Sequence, residues 1–160
     1  MRELGRRSLG TRTLPLRNVA PVLPGAAQVV GVDPSPVMRR MAVRRCAGAV
    51  AAGRVDVRSG RATDTGAPGG SFDHVVSVNN VLFWGDIAGG IAELHRVLRD
   101  GGRAVVAFHS GTGPSRRARR VGLPEDVAVR LHVAMAAVFG DATRHDLTHL
   151  VAFSAVRGAR

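Results

Sequence analysis

The chain contains no lysine. All 23 cationic side chains in its 160 residues are arginine, and against 12 carboxylates they give a formal net charge of +11. They are set in a background of Ala, Gly and Val, a pattern of compositional bias rather than of a selected binding patch. Net charge speaks to association and not to fold, so nucleic acid is not expected as a partner. Cys46 is the only cysteine, which excludes an internal disulfide and fits a reducing, cytoplasmic setting. No run of about 18 apolar residues exists, so no membrane span is expected. The arginines near Met1 have no apolar stretch behind them and do not read as a signal peptide. Internal repeats, a Ser/His/Asp arrangement and a G-x-x-x-x-G-K phosphate loop are also absent.

What is present centres on Ser71 to His109. The apolar run Val75 to Val78 ends in Asn79-Asn80, followed by Phe83-Trp84, an amphipathic helical stretch, a Gly-Gly turn and a second apolar strand, Ala104 to Phe108. Continuous Val and Ala strands separated by a helix imply a sheet buried on both faces, hence a parallel βαβ unit. Ligands of such sheets lie outside the carboxyl ends of the strands, where Asn79 and His109 fall.

Upstream, Met1 to Gly25 interleaves Arg, Gly, Pro and Thr with little periodicity, and is expected to be an irregular segment (1-25) ahead of an α/β domain (26-160). Gln28 to Val32 reads as a short buried strand. Pro36 opens a helix with Met38, Met41, Ala42, Cys46, Ala49 and Val50 on one face, Gly53 ends it, and Val55 to Arg58 is another strand. Downstream, Gly111 to Val121 is a loop with the run Arg116, Arg117, Arg119 and Arg120. A helix opens at Pro124 and closes at Gly140, and Leu147 to Val156 is a last strand or hairpin arm. The order predicts an α/β, doubly wound, mostly parallel sheet.

Several side chains invite chemistry. Asp33, at the carboxyl end of a strand, is placed either to accept hydrogen bonds from ribose hydroxyls or simply to form the turn before Pro34. His109 is the one candidate general base. His74 reads as structural and Cys46 as a small core hydrophobe. His145, Asp146 and His149 lack a convincing third ligand, so no metal is expected.

The segments VVGVDPSPVMRRMA, VRSGRAT, GSFDHVVSVNNVLFW and AELHRVLRDGGRAVVAF, in that order, resemble the class I S-adenosylmethionine-dependent methyltransferases, nearest the small-molecule (type 11) branch. The resemblance covers about Val29 to Phe108. It implies a Rossmann-like fold, S-adenosyl-L-methionine as cofactor, and transfer of a methyl group to a small-molecule acceptor, with a homodimer allowed. By it, Asp33 binds the ribose, Pro34 and Met38 line the adenine side, Arg61 and Ala62 stand at the adenine edge, Asn79 sits beside the methionine portion, and Phe83 and Trp84 face the substrate. The family usually has an acid where this chain has Arg61. It also opens with a strand and an E-x-G-x-G-x-G turn, against which only ELGRRSLG, with Glu3, Gly5 and Gly10, can be set. An incomplete first strand and weakened cofactor binding follow as expectations. The rival readings are a non-catalytic remnant or partner subunit that has kept the fold, a basic nucleic-acid-binding module, and an NAD-type Rossmann protein.

Overall fold

The computed structural model describes residues 7–11, 28–112 and 122–159. The described strands form one seven-stranded sheet in the order β3-β2-β1-β4-β5-β7-β6. They are β1 (Arg7–Thr11), β2 (Gln28–Val32), β3 (Val55–Arg58), β4 (Phe72–Val78), β5 (Leu98–His109), β6 (Thr143–Asp146) and β7 (Leu150–Val156). The pairs from β3 through β5 are all parallel, whereas β7 runs antiparallel to both β5 and β6. The described helices are α1 (Pro36–Arg45), α2 (Ala47–Ala51), α3 (Ile87–Val97) and α4 (Glu125–Phe139), with a 3-10 turn at Val81–Phe83.

The first strand is formed over Arg7–Thr11, where the sequence reading expects an incomplete one. It lies inside the segment read as irregular and occupies the middle of the sheet. It is in register with β2 from Arg7↔Gln28 to Thr11↔Val32, and with β4 from Ser8↔His74 to Thr11↔Ser77. Gly10 belongs to this strand, opposite Gly31 and Val76, and not to a glycine turn. Gly5 lies outside the described residues, as do Arg116 to Arg120. A strand of sequence RSLGT has poor intrinsic β-propensity. Its backbone is paired on both sides by the Val-rich strands β2 and β4, and that tertiary setting overrides the local preference.

The main core lies on the β4-β5-β7 side. Val75, Val106 and Phe153 from the sheet pack with Ile91, Leu94 and Val97 of α3 and with Ala128, Leu131 and Met135 of α4. The period of the sequence explains this: 91, 94 and 97 fall on one face of α3, and 128, 131 and 135 on one face of α4. The Asp86 carboxylate caps α3 by accepting from Gly89 N at 3.0 Å. Gly140, at φ 86°, ends α4 in the left-handed region. The stretch read as one helix after Pro36 is two, parted at Cys46, and α1 buries none of its residues completely. Ala42, Cys46, Ala49 and Val50 pack against Val29 and Val55 in a second, smaller cluster, while Met41 is left exposed. The last strand or hairpin arm read over Leu147 to Val156 is β7, and an unexpected strand, β6, precedes it; β7 lies between β5 and β6 in the sheet.

Candidate active site

The carboxyl ends of β2, β3, β4 and β5 carry the candidate residues. The chain leaves β2 through Asp33, whose backbone N–H donates to Arg58 O at 3.1 Å and whose Oδ1 accepts from Ser35 N at 2.8 Å. Asp33 is buried, at 6% exposure. A buried carboxylate needs hydrogen-bond partners, and the first is this turn amide, so the turn-forming role of Asp33 is realised. Ser35 then caps α1 by accepting from Met38 N. Arg39 reaches back to donate to Asp33 O and Pro34 O, at 2.8 and 2.9 Å. The strand-to-helix turn is therefore fixed from both sides.

Beside it is a small groove lined by Val32, Pro34, Gly60, Arg61, Ala62, Phe83 and Trp84. Pro34, Arg61, Ala62, Phe83 and Trp84 were each predicted to be site residues, and the fold brings all five to one groove. Phe83 and Trp84, expected on the substrate side, stand across from Arg61 and Ala62. Phe83 is 68% exposed at the mouth. Met38, in the first turn of α1, is not among the lining residues. Gly60 is required by proximity, since a Cβ there would lie 2.6 Å from Val32 Cγ1. Arg61 and Asp64 close the next turn by reciprocal backbone bonds, Arg61 N to Asp64 O at 2.7 Å and Asp64 N to Arg61 O at 3.2 Å.

Three residues that the sequence reading passed over hold this groove in shape. Asn80, fully buried, accepts on Oδ1 from Trp84 Nε1 at 2.9 Å and from the Ser77 hydroxyl. Gly90 allows the Trp84 ring to rest on α3, because a Cβ there would meet Trp84 Cε3 at 2.4 Å. Glu93 tethers the loop that carries Arg61. Its Oε1 accepts from Thr65 N at 2.9 Å and Thr65 Oγ1 at 2.6 Å, and Arg96 bridges from Glu93 to Ala67 O at 2.7 Å. Burial pushes the Glu93 carboxyl up, but the hydrogen bonds from Arg96 and Thr65 outweigh it and leave it below its ordinary value. The signal available in the sequence was an acid beside the apolar stripe of α3, three residues before an arginine.

At the ends of β4 and β5, Asn79 adopts φ 54°, the one described non-glycine residue with positive φ. Its backbone N–H donates to Ala107 O at 2.8 Å and its Oδ1 accepts from His109 N at 2.7 Å, so it clamps the two strand ends together. His109 Nδ1 accepts from Gly111 N at 2.9 Å. With that lone pair engaged, the neutral ring carries its proton on Nε2 and presents a donor outward. Among the described residues no group of three His, Cys, Asp or Glu side chains is placed to hold a metal ion.

An apolar and aromatic groove admits a flat ring, and an acid at the strand end adjoins it. The methyltransferase-domain family matches residues 12–106, more than half of the chain. An uncharacterized methyltransferase of Bacillus subtilis, YdaC, is 34% identical over 78 residues; the match covers 49% of this chain and 41% of that protein, so the chain spans about two fifths of that relative's length. Among solved structures, an S-adenosyl-L-methionine-dependent methyltransferase assigned in Methanococcus maripaludis superposes with a TM-score of 0.79 at 15% identity, covering 98% of this chain and 78% of that one. The geranyl diphosphate C-methyltransferase of Streptomyces coelicolor superposes with a TM-score of 0.71 at 15% identity, covering 95% and 71%. At these identities the structural matches establish the fold. The chain belongs to the methyltransferase-domain family and has the fold of the S-adenosylmethionine-dependent enzymes.

Proposed function

We propose that the chain transfers the methyl group of S-adenosylmethionine to a small-molecule acceptor, with the groove beside Asp33 as the nucleoside subsite. The observation that carries the reading is the convergence of Asp33, the Gly60-Arg61-Ala62 turn and Phe83-Trp84 at the carboxyl ends of a parallel sheet. When bound, the cofactor supplies an electrophilic methyl carbon on a sulfonium. The protein's share is to bind and align, since in-line transfer asks mainly for proximity. Asp33 accepts hydrogen bonds from ribose hydroxyls, and Val32, Pro34 and Phe83 cover the base. Asn79 holds the ends of β4 and β5 at a fixed spacing beside the methionine portion, and His109 offers a donor toward the acceptor molecule. The exposed Leu82 and Phe83 give the mouth an apolar rim suited to a small, partly apolar acceptor. A cytoplasmic setting belongs to the same reading.

A second reading is a fold retained without catalysis. It is favoured by the sequence after β1, where positions 11 to 24 contain no glycine. Close backbone approach to the amino-acid end of the cofactor is what such glycines permit. Calorimetric titration of the purified protein with S-adenosylmethionine and S-adenosylhomocysteine decides between them. Micromolar binding that disappears in Asp33→Ala supports the enzyme. The absence of heat and of thermal shift from a folded protein supports the second reading.

A further inference from the structure

The two walls of the groove are seated on one helix. Trp84 rests on α3 at Gly90, where a Cβ would meet its ring at 2.4 Å. The opposite wall, Gly60-Arg61-Ala62, belongs to the segment 59–71, which contains no helix and no named strand. The reciprocal Arg61 and Asp64 backbone bonds shape that wall but tie it to nothing outside the segment. Among the described residues, the side-chain hydrogen bonds that tie the middle of the segment to the rest of the fold come from Glu93 and Arg96, both on α3. Glu93 Oε1 takes the Thr65 N–H and hydroxyl, while Arg96 holds Glu93 Oε2 at 2.6 Å and reaches Ala67 O. Glu93 is 7% exposed and Thr65 2%, so water cannot replace this pairing. Gly90 and Glu93 are three residues apart and hence neighbours on the helix surface.

We propose that Glu93 is a positioning residue for the nucleoside subsite: through Thr65 it holds the Arg61-Ala62 wall opposite Trp84 and so sets the affinity for the cofactor. The inference rests on the reading of the groove as that subsite. Glu93 does not line the groove, so it reaches a ligand only through the segment it anchors. A segment without helix or strand keeps many conformations unless contacts select one. Apparent affinity falls with the fraction of molecules in which the binding geometry is in place, and the Glu93 tether keeps that fraction high. What the position requires is a buried acceptor for two donors. A glutamine oxygen can take both bonds, whereas alanine takes neither and leaves the Thr65 donors unpaired.

The test is calorimetric titration with S-adenosylhomocysteine, well below the melting temperature of each protein, on the unaltered chain and on Glu93→Ala, Glu93→Gln and Thr65→Val. Met135→Ala serves as a control, because it empties a fully buried site on α4 that does not line the groove. The expected result is a loss of affinity of about tenfold in Glu93→Ala and about threefold in Thr65→Val. Glu93→Gln should recover most of the loss, and Met135→Ala should stay within about twofold of the unaltered protein although its melting temperature falls. Hydrogen exchange should quicken over residues 60–67 in Glu93→Ala and not over α4. A folded Glu93→Ala that binds within about twofold of the unaltered protein overturns the inference and leaves the nucleoside subsite standing. So does a loss in Met135→Ala as large as that in Glu93→Ala, since affinity would then merely follow stability. Should Glu93→Ala not fold, Thr65→Val decides, and unchanged affinity there overturns the inference. If the unaltered protein binds no S-adenosylhomocysteine, the nucleoside reading fails and this inference fails with it.

Discussion

The two halves of the sheet are built differently. On the β4-β5-β7 side, α3 buries Gly90, Ile91, Glu93, Leu94 and Val97, and α4 adds Ala128, Leu131 and Met135. On the β2-β3 side, α1 and α2 fully bury no residue, and the described cluster there has only Val29 and Val55 at its centre. The candidate groove lies along the junction, with Trp84 seated on α3 and Pro34, Gly60, Arg61 and Ala62 on the lighter half. Burial is thus concentrated in one half, and the turns of the candidate groove are carried largely by the other. Low local stability is common for segments that must close on a ligand, and a ligand that bridges the two halves stabilises the one that needs it most.

Substitutions can break or sharpen this contrast. The largest loss should come from Leu94→Ala, which removes a fully buried side chain between α3 and the sheet and should cost about 3–4 kcal/mol by denaturant unfolding. Glu93→Ala comes next, at about 2–3 kcal/mol, because it strands the Thr65 donors. The loss is tempered because Arg96 keeps 46% of its side chain in water. The same residue gives a pH signature. Its carboxyl is lowered on folding, so its contribution is present above its ordinary value of 4.5 and is lost as pH falls below that. Glu93→Gln should flatten this part of the acid unfolding curve. Val55→Ala, in the lighter half, should cost about 1.5 kcal/mol, and a loss equal to that of Leu94→Ala would erase the contrast. Asp33→Asn should change the stability of the free protein least, by about 1 kcal/mol or less. It should nevertheless abolish the rise in melting temperature produced by S-adenosylhomocysteine.

How much of this was legible in the sequence depended on where each element draws its stability. The βαβ unit from β4 to β5 could be read because its strands are apolar runs and its helix has a clean 3.6-residue stripe. The same applies to α4 with its Gly140 cap. Strand β1 could not be read, since RSLGT contains neither an apolar run nor an alternation, and its place comes from β2 and β4. Strand β6 (TRHD) was missed for a related reason: it is a mostly exposed edge strand with nothing apolar to reveal it. The division at Cys46 is marked in the sequence only by the weak helix formers Cys46 and Gly48 within an Ala- and Arg-rich stretch. For the site, position at strand ends and motif order brought out Asp33, Arg61, Ala62, Phe83 and Trp84. Asn80 and Glu93 act through contacts distant in sequence or through a neighbouring ring, and Glu93 meets Thr65 across 28 positions.

Strand β7 follows β6 in the chain but lies between β5 and β6 in the sheet. During synthesis β5 is therefore left with a bare edge until residues 150–156 have emerged, and only then can β6 find its place. Such an edge invites pairing with another nascent chain. A chain stalled or shortened before residue 150 leaves that edge open, and chaperones that bind exposed strands should retain it.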